Sequence, residues 1–413
     1  MFKDIFLFEL RYRARRLATY LYFMLFFLLV FFATVSDQVV IGTQLGNLLR
    51  NSPSAIFSTI AIMNAFGIMV ISAIMSTPVY RDFDHNVHPL LYSYPMKKRA
   101  YLAGRFLGSY VYAILVFVSI PLAIYLGSII APAAGWLEAS RFDSFRLMAY
   151  LSPYMMLIIP NTFFLGAVFF SLVSMKKRMV YSYLGSILFL VLYVWAASHY
   201  MKLDSKEMAA LLDPFGMATF FTTTQYWTPA EINTQLIPLS GAFLLNRVIW
   251  VSLGALILAF AFWRFKLVTV TENGGRKSSV KAVVEDVDDM KVNVDLPKVK
   301  ISHSSVNHIK QMLSLGWIDF TTVVKDLPFI GMVVAGLVLF FNSAISVTGV
   351  YDGSNYPVTY LLLEYLRGNF ILIMLIIITF YSGELVWRER GYKIDQIMDS
   401  LPLNPGNCGT FWM

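Results

Sequence analysis

The sequence predicts an all-α polytopic membrane protein with about eight transmembrane helices, arranged as six plus two. Composition is the first reason. The 413 residues are 57% hydrophobic and only 14% charged, with mean hydropathy +0.63, where a soluble domain carries about 25% charged residues. Eight apolar runs are the second: 17–35, 55–76, 103–131, 148–174, 179–197, 242–265, 327–349 and 369–386. Each is long enough to cross a hydrocarbon core of about 30 Å at about 1.5 Å per helical residue. The third is the alternation of basic loops. Arg11, Arg13, Arg15 and Arg16 precede the first run; Lys97, Lys98 and Arg99 follow the second, and Lys176, Lys177 and Arg178 the fourth. Arg264 and Lys266 follow the sixth, and Arg388, Arg390 and Lys393 the eighth. With eight spans all these loops share one side, which the positive-inside rule makes cytoplasmic, N-terminus included.

Residues 1–16 mix Phe2, Ile5, Phe6 and Phe8 with Lys3, Arg11 and Arg13. That pattern suits a helix lying along the inner leaflet. The run at 17–35 is too long for a signal-peptide core and more spans follow, so it reads as a true span. Residues 1–265 then form a first unit of one interfacial helix and six spans. Residues 266–304 are polar, with short alternating stretches around Asn273-Gly274-Gly275, and read as a small cytoplasmic connector, either a β element or a mobile linker. Residues 305–403 start a second unit: an amphipathic segment at 307–326 and two spans. Residues 404–413 fit neither pattern.

A short segment occurs twice. VYRDFDHNVHPLLYSYPM begins at Val79 and VWRERGYKIDQIMDSLPL at Val386, without a gap, at an offset of 307. Tyr80 meets Trp387, Arg81 meets Arg388, Asp82 meets Glu389 and Pro95 meets Pro402. Each copy directly follows a long apolar run, so a membrane unit is duplicated, a common plan in transporters. Val87, Leu90 and Leu91 fall at i, i+3 and i+4, one face of a short helix. A helix across the cytoplasmic ends of spans can pass a rigid-body push between domains; the plainer alternative is an amphipathic loop capping the bundle. The expected coupling residues are Arg81, Asp82, Leu90, Arg388, Glu389 and Ile397. The same offset places the third span of the second copy at position 410, beyond which only three residues remain, so the chain is expected to be a fragment or a fused or frameshifted product.

Other candidate chemistry is sparse. Asp82, Asp84, His85 and His88 have metal-ligand character, but their repeat equivalents Glu389, Gly391, Tyr392 and Asp395 do not, so no metal is expected. Asn64, Asn161 and Asn342 are the polar residues deep in spans; they could line a substrate path, though an Asn there more often bonds a neighbouring helix. Arg105 and Arg247 lie near span ends, where snorkelling accounts for them. Pro121 and Pro160 read as helix kinks, and Gly104-x-x-x-Gly108 as a close helix contact. The stretch Gly274-Gly275-Arg276-Lys277-Ser278 lacks the spacing and context of a phosphate loop. There is no HExxH motif, no nucleophile elbow and no pair of intramembrane carboxylates. The single cysteine, Cys408, excludes an intrachain disulfide. No enzymatic activity, bound cofactor or nucleic-acid partner follows from these residues.

The whole pattern resembles the membrane subunits of ATP-binding-cassette exporters of the type-2 permease class. The resemblance extends to Leu212-Asp213-Pro214-Phe215-Gly216, Tyr226-Trp227-Thr228-Pro229-Ala230-Glu231, Asn233-Thr234, Pro238-Leu239, Gly241 and Asn246-Arg247. These are similar to long bacterial permeases of Bacteroidetes type, some of which carry a C-terminal aminopeptidase domain. The resemblance implies a permease in the bacterial inner membrane that moves an unidentified solute, with ATP held by a separate ATPase subunit. The alternatives are the membrane anchor of a longer permease–aminopeptidase fusion, or an ion-coupled secondary transporter. The absence of deep charges weighs against the last.

Overall fold

The computed structural model describes residues 1–265 apart from 40, 42–47, 95 and 201–205, then 305–326 and parts of 329–383. The linker at 266–304, the repeat copy from 386, and Asn342, Arg388, Glu389 and Ile397 lie outside the described residues. Among the described residues the chain is all-helical and contains no strand. Five helices are long and apolar enough to cross a membrane, or up to seven if each of two bent pairs is one span. The chain is thus a multi-pass membrane protein. It divides into two units, the larger holding the helices up to residue 265.

The six spans expected in that unit are all helical. The N-terminal segment forms α1 (Phe2–Ala14) and the first span α2 (Leu17–Val35). The second span is broken: α3 (Pro53–Phe66) and α4 (Ile68–Asp84) meet at Gly67 with a 52° bend. A six-residue helix α5 (His88–Ser93) follows, then α6 (Lys98–Phe117) and α7 (Ser119–Ala133), which make one long span interrupted at Val118. The fourth span is α8 (Leu147–Pro153), a π turn (Tyr154–Ile158) and α9 (Ile159–Lys176). Then come α10 (Val180–Tyr200), the short helices α11 (Lys206–Leu212), α12 (Met217–Thr224) and α13 (Pro229–Thr234), and α14 (Gly241–Arg264).

Apolar composition alone does not say which spans are central, because lipid and protein interior are equally apolar. Burial does. Of the most apolar stretch of each span, 67% is buried for the fourth but 17% for α10, 22% for α14 and 28% for α2. The fourth span is packed between α4, α10 and α14, and α3 is buried along almost its whole length. Phe106, Phe117, Phe169 and Phe170 fill the space between them at 1% exposure or less. Leucines and aromatics exposed along α2 and α14, such as Leu25, Leu256 and Trp263, face where lipid lies.

Pro121 and Pro160 each sit in the first turn of a new helix, α7 and α9, just after an interruption. Proline is tolerated there because the first turn has no intrahelical acceptor for its missing N–H. The kinks read from sequence are therefore helix restarts.

The smaller unit contains α15 (Ser305–Val324), where the amphipathic segment was expected. Leu313, Trp317, Ile318 and Phe320 are exposed on it. Leu313–Val324 pairs with Phe329–Val338 at a 62° bend to make the second candidate broken span. The eighth expected run, 369–386, is described only in part.

Candidate functional site: a buried ion cluster beneath an exposed helix

The last turn of α4 carries Arg81 and Asp82 into the bundle interior, where they are 8% and 3% exposed. The chain reverses through Asn86, whose φ of 52° is the left-handed conformation Asn tolerates better than most residues. Pro89 sits in the first turn of α5. The reversal leaves Leu90 and Tyr94 at 64% and 63% exposure. Of the coupling residues within the described chain, Leu90 thus lies at the surface while Arg81 and Asp82 turn inward.

What they turn toward is Glu9 of α1. The Glu9 carboxylate is fully buried and contacts three guanidiniums. Arg81 donates from Nη2 to Oε2 at 3.0 Å, Arg105 from Nη1 to Oε2 at 2.8 Å, and Arg13 Nε lies 3.0 Å from Oε1. Arg105 also reaches Asp82 with its other terminal nitrogen, Nη2, which lies 2.8 Å from each carboxylate oxygen, a charge-assisted contact. Tyr101 donates its hydroxyl to Asp82 Oδ2 at 2.6 Å. Arg13 also donates from Nη2 to Ile74 O at 2.6 Å and Ser109 Oγ at 2.9 Å. Tyr12 and Phe8 cover Arg81, whose guanidinium carbon is 3.8 Å from the Tyr12 ring centre. Burial pushes the Glu9 carboxyl toward the neutral form, but Arg13, Arg81 and Arg105 outweigh it and hold its pKa below the ordinary glutamate value.

The close approach of α1 to α6 explains how Glu9 gets there. A Cβ on Gly104 would fall 2.9 Å from Ile5 Cγ2, and one on Gly108 would fall 2.7 Å from Glu9 Cβ. Two glycines four apart on α6 thus face two residues four apart on α1, as small residues do at tight membrane contacts. Arg105 is not snorkelling. It is 5% exposed, paired with both Glu9 and Asp82, and clamps α1 to α4 through α6.

Aromatics extend the cluster under α5. His88 is 2% exposed, its ring 4.6 Å from Phe83 and edge-on to Tyr92. Tyr92 contacts Tyr101, and Tyr101 stacks on Phe265 at the end of α14. Lys98 donates to the carbonyls of Trp263 and Phe265. Contacts thus run from α5 to α4, α6 and the end of α14, and through Asp82, Arg105 and Glu9 to α1.

A second polar cluster organises the segments before the last span. Asp213 accepts from the Phe215 N–H at 2.9 Å and the Ala218 N–H at 2.7 Å. Asn246 donates to the carbonyls of Ala210, Leu211 and Asp213. Arg247, 6% exposed, donates to Pro214 O at 3.2 Å and to Asn161 Oδ1 at 2.6 Å. It too is not snorkelling. Thr228 and Glu231 form a reciprocal cap on α13, and Asn233 accepts from the Leu49 N–H. The Asp-Pro-Phe-Gly and Asn-Arg sequences singled out above are thereby joined in one cluster, while Thr-Pro-Ala-Glu caps α13 separately. Asn64 stands apart: it is fully buried and neither its amide nitrogen nor its oxygen has a partner among the described residues.

Sequence reasoning missed Glu9, Arg13 and Tyr101. The available signal was the i,i+4 acid–base pair on an otherwise apolar-faced helix, read together with the matching glycine spacing on α6.

No protein-family model matches the chain, and no curated protein matches it.

Proposed function

We propose that the chain is the membrane-spanning permease subunit of an ATP-binding-cassette exporter in the bacterial inner membrane, N-terminus cytoplasmic. A separate ATPase subunit docks on α5 and supplies the energy; ATP binds there and not on this chain. The reading is supported above all by one feature, an exposed helix tip packed over a buried ion cluster. Leu90 and Tyr94 present an apolar contact, Lys97 and Arg99 follow them closely in sequence, and Lys177, over the Phe83 ring at 4.8 Å, brings the basic loop after the fourth span to the same end. Behind them, Arg81 and Asp82 transmit the displacement to α1 and α6 rather than touching the partner. Arg388, Glu389 and Ile397 do the equivalent work in the second copy.

The test is co-purification followed by turnover. The full chain, isolated in mild detergent, should bring down an ATPase with a Walker A motif. Leu90→Asp should abolish that association while leaving the permease folded. Retention of the ATPase by Leu90→Asp, or the absence of any such subunit, would count against the assignment.

A further inference from the structure

Three spans of the first unit are interrupted, and the interruptions touch one another. The break at Gly67 is packed on Phe117, the last residue of α6: a Cβ on Gly67 would lie 2.3 Å from Phe117 Cζ. At the α6–α7 junction the Val118 N–H turns back to the carbonyls of Leu115 and Val116, leaving the Ile114 carbonyl without its helical donor. Tyr154, first residue of the π turn, donates its hydroxyl to that carbonyl at 2.7 Å. In return Tyr110 of α6 donates to the Ile159 carbonyl at 2.9 Å, where α9 restarts. Two tyrosines thus satisfy backbone groups at the junction, as irregular backbone at membrane depth requires.

Asn64 lies one turn before Gly67 in α3, its backbone carbonyl oxygen 3.1 Å from where a Gly67 Cβ would stand. Its side-chain amide is fully buried, and among the described residues both its nitrogen and its oxygen are unpaired. Burying an amide with neither donor nor acceptor paired is costly, and the fold gains nothing visible from it. Interrupted helices meeting at mid-depth are where membrane carriers place their solute.

The chemistry of the solute follows from what surrounds it. Residues 51–80, 106–137 and 147–175 contain no Asp, Glu, Lys or Arg. A cationic head would have no counter-ion there, and the buried cation bonded to these segments, Arg247 of α14, already spends its Nη groups on Asn161, Pro214 and Asn246, so a charged head is disfavoured. Asn64 offers one acceptor and two donors, so it complements a neutral group that both donates and accepts, an amide or a hydroxyl. Phe26, 5.1 Å from Phe117, and the rings of Tyr110 and Tyr154 surround the junction with apolar surface. We propose that the meeting point of the three interrupted spans, with Asn64 as its recognition group, binds an uncharged hydrogen-bonding amphiphile. This deepens the exporter reading, on which it rests, by giving the solute class. In this structure the point is packed shut, so binding requires the halves of the interrupted spans to part.

The test measures binding and stability without any ATPase. The probes are octanamide, octanoate and octylammonium, which share a tail and differ in the charge of the head. Octanamide should raise the melting temperature of the purified wild-type chain, and the two charged probes should not. Asn64→Leu should remove the octanamide effect, and by removing the orphan amide should itself raise the melting temperature by about 2–4 °C. Asn64→Ser, which keeps a donor and an acceptor, should retain a reduced response. A lower melting temperature or failure to fold in Asn64→Leu would overturn the proposal, because Asn64 would then be holding the fold. Equal responses to all three probes, or a response that survives Asn64→Leu, would overturn it as well. If the probe results hold while no ATPase associates with Leu90, the solute site stands and the exporter reading fails.

Discussion

The ion cluster at Glu9 and the cluster at Asp213 lie at opposite ends of the same bundle and solve the same problem in different ways. Arg247 is in the second turn of α14, whose last turn reaches Tyr101 through Phe265; eighteen residues of helix separate the two by ~27 Å. At the Asp213 end, a carboxylate is capped by backbone N–H groups and a guanidinium is held by neutral oxygens. The Asp213 carboxylate and the Arg247 Nη groups each meet fixed partners, while Arg247 Nε has none among the described residues. At the Glu9 end, three arginines compete for two carboxylates, carried by three different helices. Long side chains around shared charges can exchange partners as the helices shift, without stranding a charge. The first arrangement ties backbone turns to a helix end; the second joins three helices through shared charges.

That contrast can be broken most forcefully at Glu9. Replacing it by Ala leaves three buried guanidiniums facing one remaining carboxylate, and removing one member of a buried ionic group costs about 3–5 kcal/mol. Thermal unfolding in detergent should show the largest loss of any single substitution in the unit. A smaller loss, about 1–3 kcal/mol, is expected for Asn246→Ala, which leaves three carbonyls without their donor. If Asn246→Ala proved the more damaging, the two ends would have been ranked wrongly. Gly108→Leu should cost a comparable amount, about 1–3 kcal/mol, by forcing α1 away from α6; a cysteine pair across Ile5 and Gly104 would report the separation through loss of disulfide formation.

Acid sharpens the comparison further. Glu9 has its pKa depressed in the folded state. Its contribution is therefore fully present above the unfolded value, about 4.3, and is lost as pH falls through the lower folded value. Melting temperature should fall with pH below about 4, and Glu9→Gln should flatten that slope. The smallest effect on stability is expected for Leu90→Ala, within about 0.5 kcal/mol because the side chain is exposed, although the same change should weaken ATPase association.

The bundle was legible from the sequence because span length and charge asymmetry are properties of single segments. All six expected spans of the first unit are helical, and the N-terminal helix begins where Phe2 and Lys3 suggested. The break at Gly67 was not legible. Nothing in Asn64-Ala65-Phe66-Gly67 distinguishes a tolerated glycine from a bend, and the decisive fact is the ring of Phe117 from another span. The site was half legible for the same reason. The Arg81-Asp82 pair stood out through its repetition, yet position at a span end reads equally well as exposure. Only the packing of α1 in the groove of Gly104 and Gly108 turns that pair inward. Arg247 was misread as snorkelling for want of its partner Asn161, 86 positions earlier.

The central claim is that force enters at α5. The most direct measurement is site-specific photo-crosslinking in native membranes, with p-benzoylphenylalanine at Leu90 and, as the control at the far end, at Tyr226, which is 82% exposed. The account predicts a crosslink from position 90 to a nucleotide-binding subunit and none from position 226. A crosslink to that subunit from position 226, with position 90 silent, would contradict it.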